Sequence, residues 1–422
     1  MASRHFPVRP NLDQLRHQAK DLLRAIRAND PDAVADFREY HSKPIDPASV
    51  LLADAQFVLA RSYGLPSWPR LVTACRMTDA IWRGDLESVR ALVLRNPRLL
   101  EEDARGVKGS WGPPMSYAAN LGQDAIIEVL RGLGASDLEK AFDRACLQGQ
   151  VETARRLHAM MGDPRPPDDG LSGPAYTLNV EGTALLLELG ARLYDERGKA
   201  IAPVDTVLET DSRNPSAKHR ILELYVKYGF KLPDTPTMAL HRGRIDLLEG
   251  HLRRDPNLLK RTFAHEEIYP AELGCHDEVM ATHGTPLAGT TLLHMCADYD
   301  EIEIARWLLD RGMNVDTQAA VDPEGFGGHT ALFSTFVSQP NFWMNHSGEV
   351  PVAPFTRLLL EHGANPNVRA SLRKVLHPGY EIEGMHEYRD VTPLGWGEQF
   401  HFKKLVNTEA MRLISERGGR LS

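Results

Sequence analysis

Residues 289–318 read GTTLLHMCADYDEIEIARWLLDRGMNVDTQ, and this stretch decides the fold. It opens on a Gly-Thr-Thr turn and an apolar segment, Leu292 and Leu293, followed by His294. A second apolar run follows at helical spacing, Ile302, Ile304, Ala305, Leu308 and Leu309, and Gly312 stands just past it. Apolar residues recurring every three to four positions predict one face of a helix, and a glycine after the last predicts its end. The stretch therefore predicts two short helices closed by a turn, in a unit of roughly 33 residues. Such a unit cannot bury its apolar face alone, so neighbours of the same build must stack on it.

The stretch resembles the ankyrin repeat. The residues that carry the likeness are Gly289, Thr291, Leu293, His294, Ala297, Leu308, Leu309, Gly312 and Asn314, with Leu292 where the family has proline. The resemblance implies an all-α ankyrin-repeat solenoid of helix-turn-helix units, with loops projecting as fingers on one side. It implies that His294 hydrogen-bonds nearby backbone and stiffens its turn. Outward from this unit, the pattern returns at Gly328-His329-Thr330-Ala331-Leu332-Phe333, closing on LLLEHGANPN at 358–367, and at Val391-Thr392-Pro393-Leu394. It returns again at Pro114-Met115-Ser116-Tyr117-Ala118-Ala119, with Gly134-Ala135 at the end. Weaker copies fall between, each recognisable by spacing and a terminal glycine. About nine units follow from residue 78 onward.

Residues 1–76 read differently. An extended arm ends at Pro10, and Asn11 stands where a helix cap is expected before Leu12, Leu15, Ala19, Leu22, Leu23 and Ile26. Three more helices follow, the last beginning at Ser67-Trp68-Pro69. This block resembles the helical segment that precedes ankyrin arrays in many bacterial proteins. Trp68 and Phe57 are expected to cover the exposed apolar end of the stack. The expected divisions are a helical cap over 1–76, degenerate repeats over 77–263, and repeats with long finger loops over 264–422.

The composition bounds the chemistry. The 422 residues carry a formal net charge of −8, which disfavours generic nucleic-acid binding. Cys75, Cys146, Cys275 and Cys296 form no Cys-x-x-Cys pair, so neither a zinc ribbon nor a disulfide framework is predicted, and the thiols read as reduced in a cytoplasmic setting. The N-terminal residues lack a signal-peptide core, and no run approaches a membrane span. No cofactor or metal motif is recognisable: HEEIY and HEYRD lack the second histidine of His-Glu-x-x-His, and Gly325-Phe326-Gly327-Gly328 lacks the lysine of a phosphate loop.

Departures from the repeat gather late in the chain. Insertions at 264–288, 319–327 and 370–390 lie between repeats, and a fourth at 338–352 falls inside the eighth unit. Connections of ordinary length run about 4–6 residues, and much longer ones are usually functional or disordered. Ten of the 17 histidines lie between His265 and His401, mixed with carboxylates and tyrosines. That mixture suits acid–base work or metal-assisted chemistry. His283, His329, His386, Glu387 and Tyr388 are the candidate catalytic groups, because they stand where the insertions rejoin the scaffold. His265, Glu266, Tyr269, His276, Phe326, Trp343 and Tyr380 are candidate binding groups. Two functions are expected from this reading. The first, from the resemblance, is a rigid concave and finger-loop surface for a protein partner. The second is a small-molecule or enzymatic site on the long loops.

Overall fold

The computed structural model describes residues 5–41, 46–109, 111–210, 214–276, 287–336, 352–375, 385–401 and 403–422. His283, Trp343 and Tyr380, three of the candidate site residues, lie outside the described residues. The chain divides into two compact units, 1–165 and 166–422.

In the first unit, helices Leu12–Arg27, Pro31–Tyr40 and Leu52–Ser62 pack on one another. Asn11 caps the first of them, its side chain accepting from the amides of Asp13 and Gln14. The next helix differs from the expectation. Trp68–Arg83 is one continuous helix, joining the fourth helix of the N-terminal block to the first helix of the repeats. No glycine or proline interrupts 70–83, and Thr78, the polar residue at the join, turns its hydroxyl back onto the carbonyl of Ala74 at 2.9 Å. Phe6, Leu15, Ala60, Leu65 and Leu71 form the core beneath it, with Trp68 packed at the margin. Helix Leu86–Arg95 packs on Trp68–Arg83, and the helix pairs Pro114–Asn120 with Asp124–Gly132 and Leu138–Gln148 with Val151–Met160 follow.

The second unit holds five further helix pairs and one incomplete pair. They are Ser172–Tyr176 with Val180–Glu188, Val204–Leu208 with Pro215–Lys227, Pro236–His241 with Ile245–Arg254, Leu292–Tyr299 with Ile302–Asp310, and Pro393–Gln399 with Thr408–Glu416. In the eighth unit the described residues hold a 3-10 turn, Phe333–Thr335, and the helix Pro354–Glu361. The terminal glycines act as the sequence predicts. Gly312, at φ +86°, gives its N–H to Leu309, and Met313 gives its own to Leu308, which satisfies the last carbonyls of the helix. Asp300 takes the left-handed conformation (φ +60°) at the inter-helix turn where other units place glycine.

The residues expected as a finger loop at 370–390 form a β-hairpin. Strands β1 (Ala370–Val375) and β2 (Met385–Val391) pair antiparallel, with Leu372 opposite Tyr388, Arg373 opposite Glu387 and Lys374 opposite His386. The alternation was masked in the sequence because the inward positions include Lys374 and His386 as well as apolar residues.

Candidate functional site

The late finger loops do not stand apart. Backbone hydrogen bonds join three of them in series. The Phe263 amide donates to Thr290 O at 2.8 Å, and the Gly289 amide donates to Phe263 O at 2.7 Å. The Ala320 amide then donates to Gly289 O at 2.7 Å. Within the second insertion, the Ala319 amide reaches His329 O at 2.8 Å and the Asp322 amide reaches Phe326 O at 2.7 Å. The Gly327 amide donates to Ser371 O at 2.7 Å, and the residues on either side of Ser371, Ala370 and Leu372, pair with Val391 and Tyr388 of β2. Among the described residues, the result is a ribbon joining 263, 289–290, 319–329, β1 and β2.

Glycine makes the ribbon possible at its tightest crossing. At Gly327 (φ +118°) an added Cβ would lie 1.9 Å from the carbonyl oxygen of Ala320. No side-chain adjustment relieves a clash with backbone, so only glycine fits there.

Strand alternation gives the hairpin two chemically different faces. On one, Phe326 is buried between two guanidinium groups, with Arg373 Cζ 4.8 Å and Arg389 Cζ 4.2 Å from its ring centre. Arg373 also bridges Asp322 at 2.8 Å and pairs with Glu324, while Glu387 bridges Arg389 at 3.2 Å. Glu387 thus belongs to a charged lattice on this face, and it faces away from its sequence neighbours His386 and Tyr388.

The other face holds His386 and Tyr388 against the helix Pro393–Gln399. The Tyr388 hydroxyl pairs with His401 Nδ1 and accepts from the His401 amide at 3.1 Å. The rings of His386 and His401 stack at 3.7 Å, only 8° from parallel. Burial, then the neighbouring His386 and Lys374, push His401 down to about 4. This environment favours the neutral His401 ring, because a positive charge there would face Lys374. His401 was not singled out from sequence; its place after an aromatic helix end gave no signal.

The first insertion folds back over the helix ends of units five to seven. His241 Nε2 donates to Ile268 O at 3.0 Å, and the Thr237 hydroxyl donates to Glu267 O at 2.5 Å. Tyr269 is buried, its hydroxyl paired with that of Tyr299, and burial drives its phenol well above the ordinary value. Tyr299 in turn donates to Leu208 O at 3.1 Å, and the buried Lys218 amine sits 3.6 Å from the Tyr299 ring centre. His265 Nε2 bonds His276 O at 3.0 Å and its ring lies 5.0 Å from that of Tyr269. His276 Nδ1 bonds the Glu209 carboxylate at 2.7 Å. Glu266 remains exposed and lines a cleft of about 360 Å³ with Asp234, Arg254, Arg261 and Phe263.

His329 is buried, and its carbonyl accepts from His294 Nε2 at 3.0 Å. The Thr291 amide donates to His294 Nδ1 at 3.3 Å, the local backbone bond that the resemblance implied, and the bond to His329 O also ties this repeat to the next. Burial lowers His294 to about 4.

The candidates therefore fall into separate neighbourhoods. His265, Tyr269 and His276 meet over units five to seven, His386 and Tyr388 meet beside His401, and His329 lies against His294 and Phe333. Among the described residues, no group of three or more His, Cys, Asp or Glu side chains is placed to hold a metal ion.

Stacked helix pairs with hydrogen-bonded fingers define a repeat protein whose built surface is its loop edge. The ankyrin repeat family model matches residues 288–320, the unit that opened the sequence reading. Residues 288–320 are thus an ankyrin repeat, set among stacked helix pairs. The crystal structure of the human ASB11 ankyrin repeat domain is similar at 16% identity, covering 69% of this chain and 98% of that one with a TM-score of 0.23. A search of curated proteins finds no match. Among the described residues, no helix is long and apolar enough to cross a membrane.

Proposed function

We propose that this chain is a protein-interaction scaffold and that its partner seats on the ribbon formed by the finger loops of units seven to nine. The carrying observation is the unbroken series of backbone hydrogen bonds from Phe263 to β2. A ribbon held by its own backbone is ordered before a partner arrives, so binding does not have to order it. Its exposed surface mixes the Arg373, Arg389, Glu387 and Glu324 charges with two exposed apolar residues, Val321 at 61% and Met385 at 51%. Apolar anchors ringed by charged groups are the ordinary anatomy of a protein interface.

The test is a Val321→Glu, Met385→Glu double variant. Both side chains are exposed, so the melting temperature is expected to stay within about 2 °C of the unaltered chain. A protein retained from the source cells by the unaltered chain is purified and its affinity measured directly. The double variant is expected to bind it at least about tenfold more weakly. Equal affinity for the two chains would refute the ribbon as the seat.

A further inference from the structure

In the first unit, helix Leu138–Gln148 lies on helix Pro114–Asn120 and presents two cations one turn apart, Lys140 and Arg144. Arg144 is only 8% exposed. Its Nε donates to Asn120 Oδ1 at 2.8 Å, and its guanidinium carbon lies 5.9 Å from the centre of the Trp111 ring. Asn120 is itself fixed, donating to Ser116 O at 2.9 Å. These contacts set the plane of the guanidinium and use one of its donor atoms. Nη1 and Nη2 have no hydrogen-bond partner among the described residues, and no carboxylate bridges the group.

This sets Arg144 apart from the ion-paired arginines of the unit and from its other buried one. Arg9, Arg16, Arg24, Arg70, Arg83 and Arg156 all pair with carboxylates, and the other buried arginine, Arg105, donates to the carbonyls of Phe6 and Pro7. Lys140 is exposed and likewise makes no ion pair among the described residues. Its Nζ is held close over Gly112, where an added Cβ would come within 3.0 Å of it. Two like charges at i and i+4 repel. The carboxylates nearby are otherwise placed. Asp143 is exposed, and Asp137 accepts from the Ser116 amide at 3.1 Å. Burial, partly offset by Asp143, lowers Arg144 to about 10. A fold ordinarily pairs such a charge or replaces it with an apolar side chain, because the uncompensated form is costly.

We propose that Arg144 and Lys140 form a binding site for an oxyanion, a carboxylate or a phosphate, which the two free Nη groups grip as a fork. Asn120 and Trp111 hold the fork in plane, and Lys140 adds a second charge above it. A guanidinium with both terminal nitrogens unused and its plane fixed is preorganised for two parallel bonds to one oxyanion. The site lies in the first unit and is independent of the finger ribbon.

The test follows the melting temperature of the full chain in inorganic phosphate and, separately, in glutarate. Sodium chloride at matched ionic strength is the control. A saturable rise in one of the two arms is expected, and the arm that responds names the oxyanion. The rise is expected to vanish in Arg144→Met and to need about tenfold more anion in Arg144→Lys, which keeps the charge and loses the fork. Without anion, Arg144→Met is expected to melt at the same temperature or higher, because it removes an unpaired buried cation; a structural guanidinium would give a lower one. No rise above chloride in either arm, a rise that survives Arg144→Met, or a lowered melting temperature of that variant would overturn the proposal. If Arg144→Met does not fold, the phosphate and glutarate titrations of Arg144→Lys decide, and unchanged midpoints overturn it.

Discussion

Replacing Gly327 by alanine tests whether the finger ribbon is one cooperative structure. The added Cβ would lie 1.9 Å from Ala320 O and 2.9 Å from its carbonyl carbon, so the backbone must move. Gly327 also has φ +118°, and holding an L-residue in such a conformation costs about 1–2 kcal/mol. Moving away from Ala320 breaks the exchange with Ser371, whose two bonds measure 2.7 and 3.3 Å. Each lost bond is worth about 1 kcal/mol, so the ribbon is weakened by roughly 3–4 kcal/mol at this crossing. Gly325→Ala is the matched control. Gly325 has φ +88° but nothing within 4 Å of its added Cβ, so it bears the conformational strain without the clash. Amide hydrogen exchange at Gly327, Ser371 and the β1 residues is the assay. Those amides are expected to exchange on the order of 100-fold faster in Gly327→Ala, and the Gly325→Ala chain to lie much nearer the unaltered one. The helix pair Leu138–Gln148 and Val151–Met160 serves as internal reference and should be unchanged. Equal protection in the two alanine variants would refute the reasoning, since the crossing would then not be held by the close approach.

Three further outcomes follow from the same geometry. His294 has a folded value near 4 against 6.5 for the free side chain, so the unfolded chain takes the proton first. The resulting stability is present above pH 6.5 and is lost as pH falls toward 4, by up to about 3 kcal/mol. Denaturant unfolding at several pH values should show that slope flattened in His294→Asn. Tyr388→Phe removes the hydroxyl that meets His401 Nδ1 and the His401 amide, and is expected to cost about 1–2 kcal/mol by chemical denaturation. Phe326→Leu keeps most of the buried volume and loses the ring between Arg373 and Arg389, for about 1 kcal/mol, whereas Phe326→Ala should cost about 3 kcal/mol. No loss in Phe326→Leu would mean that the ring face does not matter.

The repeat was legible because its determinants are local. Leu308, Leu309 and Gly312 announce one helix and its end within five residues, and Thr291 with His294 announces the turn before it. What stayed hidden depends on partners far along the chain. The β-hairpin was read as a loop because Lys374 and His386 occupy inward positions, and nothing nearby says that Trp396, Phe400 and His401 will cover them. Glu387 was grouped with His386 and Tyr388 by sequence adjacency, whereas strand geometry sends neighbours to opposite faces. Arg144 was passed over because arginine is ordinarily a surface residue, and its burial is decided by Trp111 and Asn120 across the helix pair.

The first insertion bears on where a partner can sit. Its residues Ile268 and Tyr269 are 0% and 1% exposed, and Tyr269 meets Tyr299 while Glu267 and His276 engage Thr237 and Glu209. Burying an isoleucine and a tyrosine to this extent is worth several kcal/mol, on the order of 2–3 for each side chain. A partner would have to displace that core to reach the helix ends of units five to seven, and a surface of a few exposed residues does not supply the difference. The insertion therefore removes three units from the inner face open to binding. At the same time its root, Phe263, starts the backbone series that ends at β2. The same segment closes one surface and anchors the other, which is why loss of binding should follow substitutions along 320–327 and 371–389 while substitutions at Glu209 and His276 should act on stability.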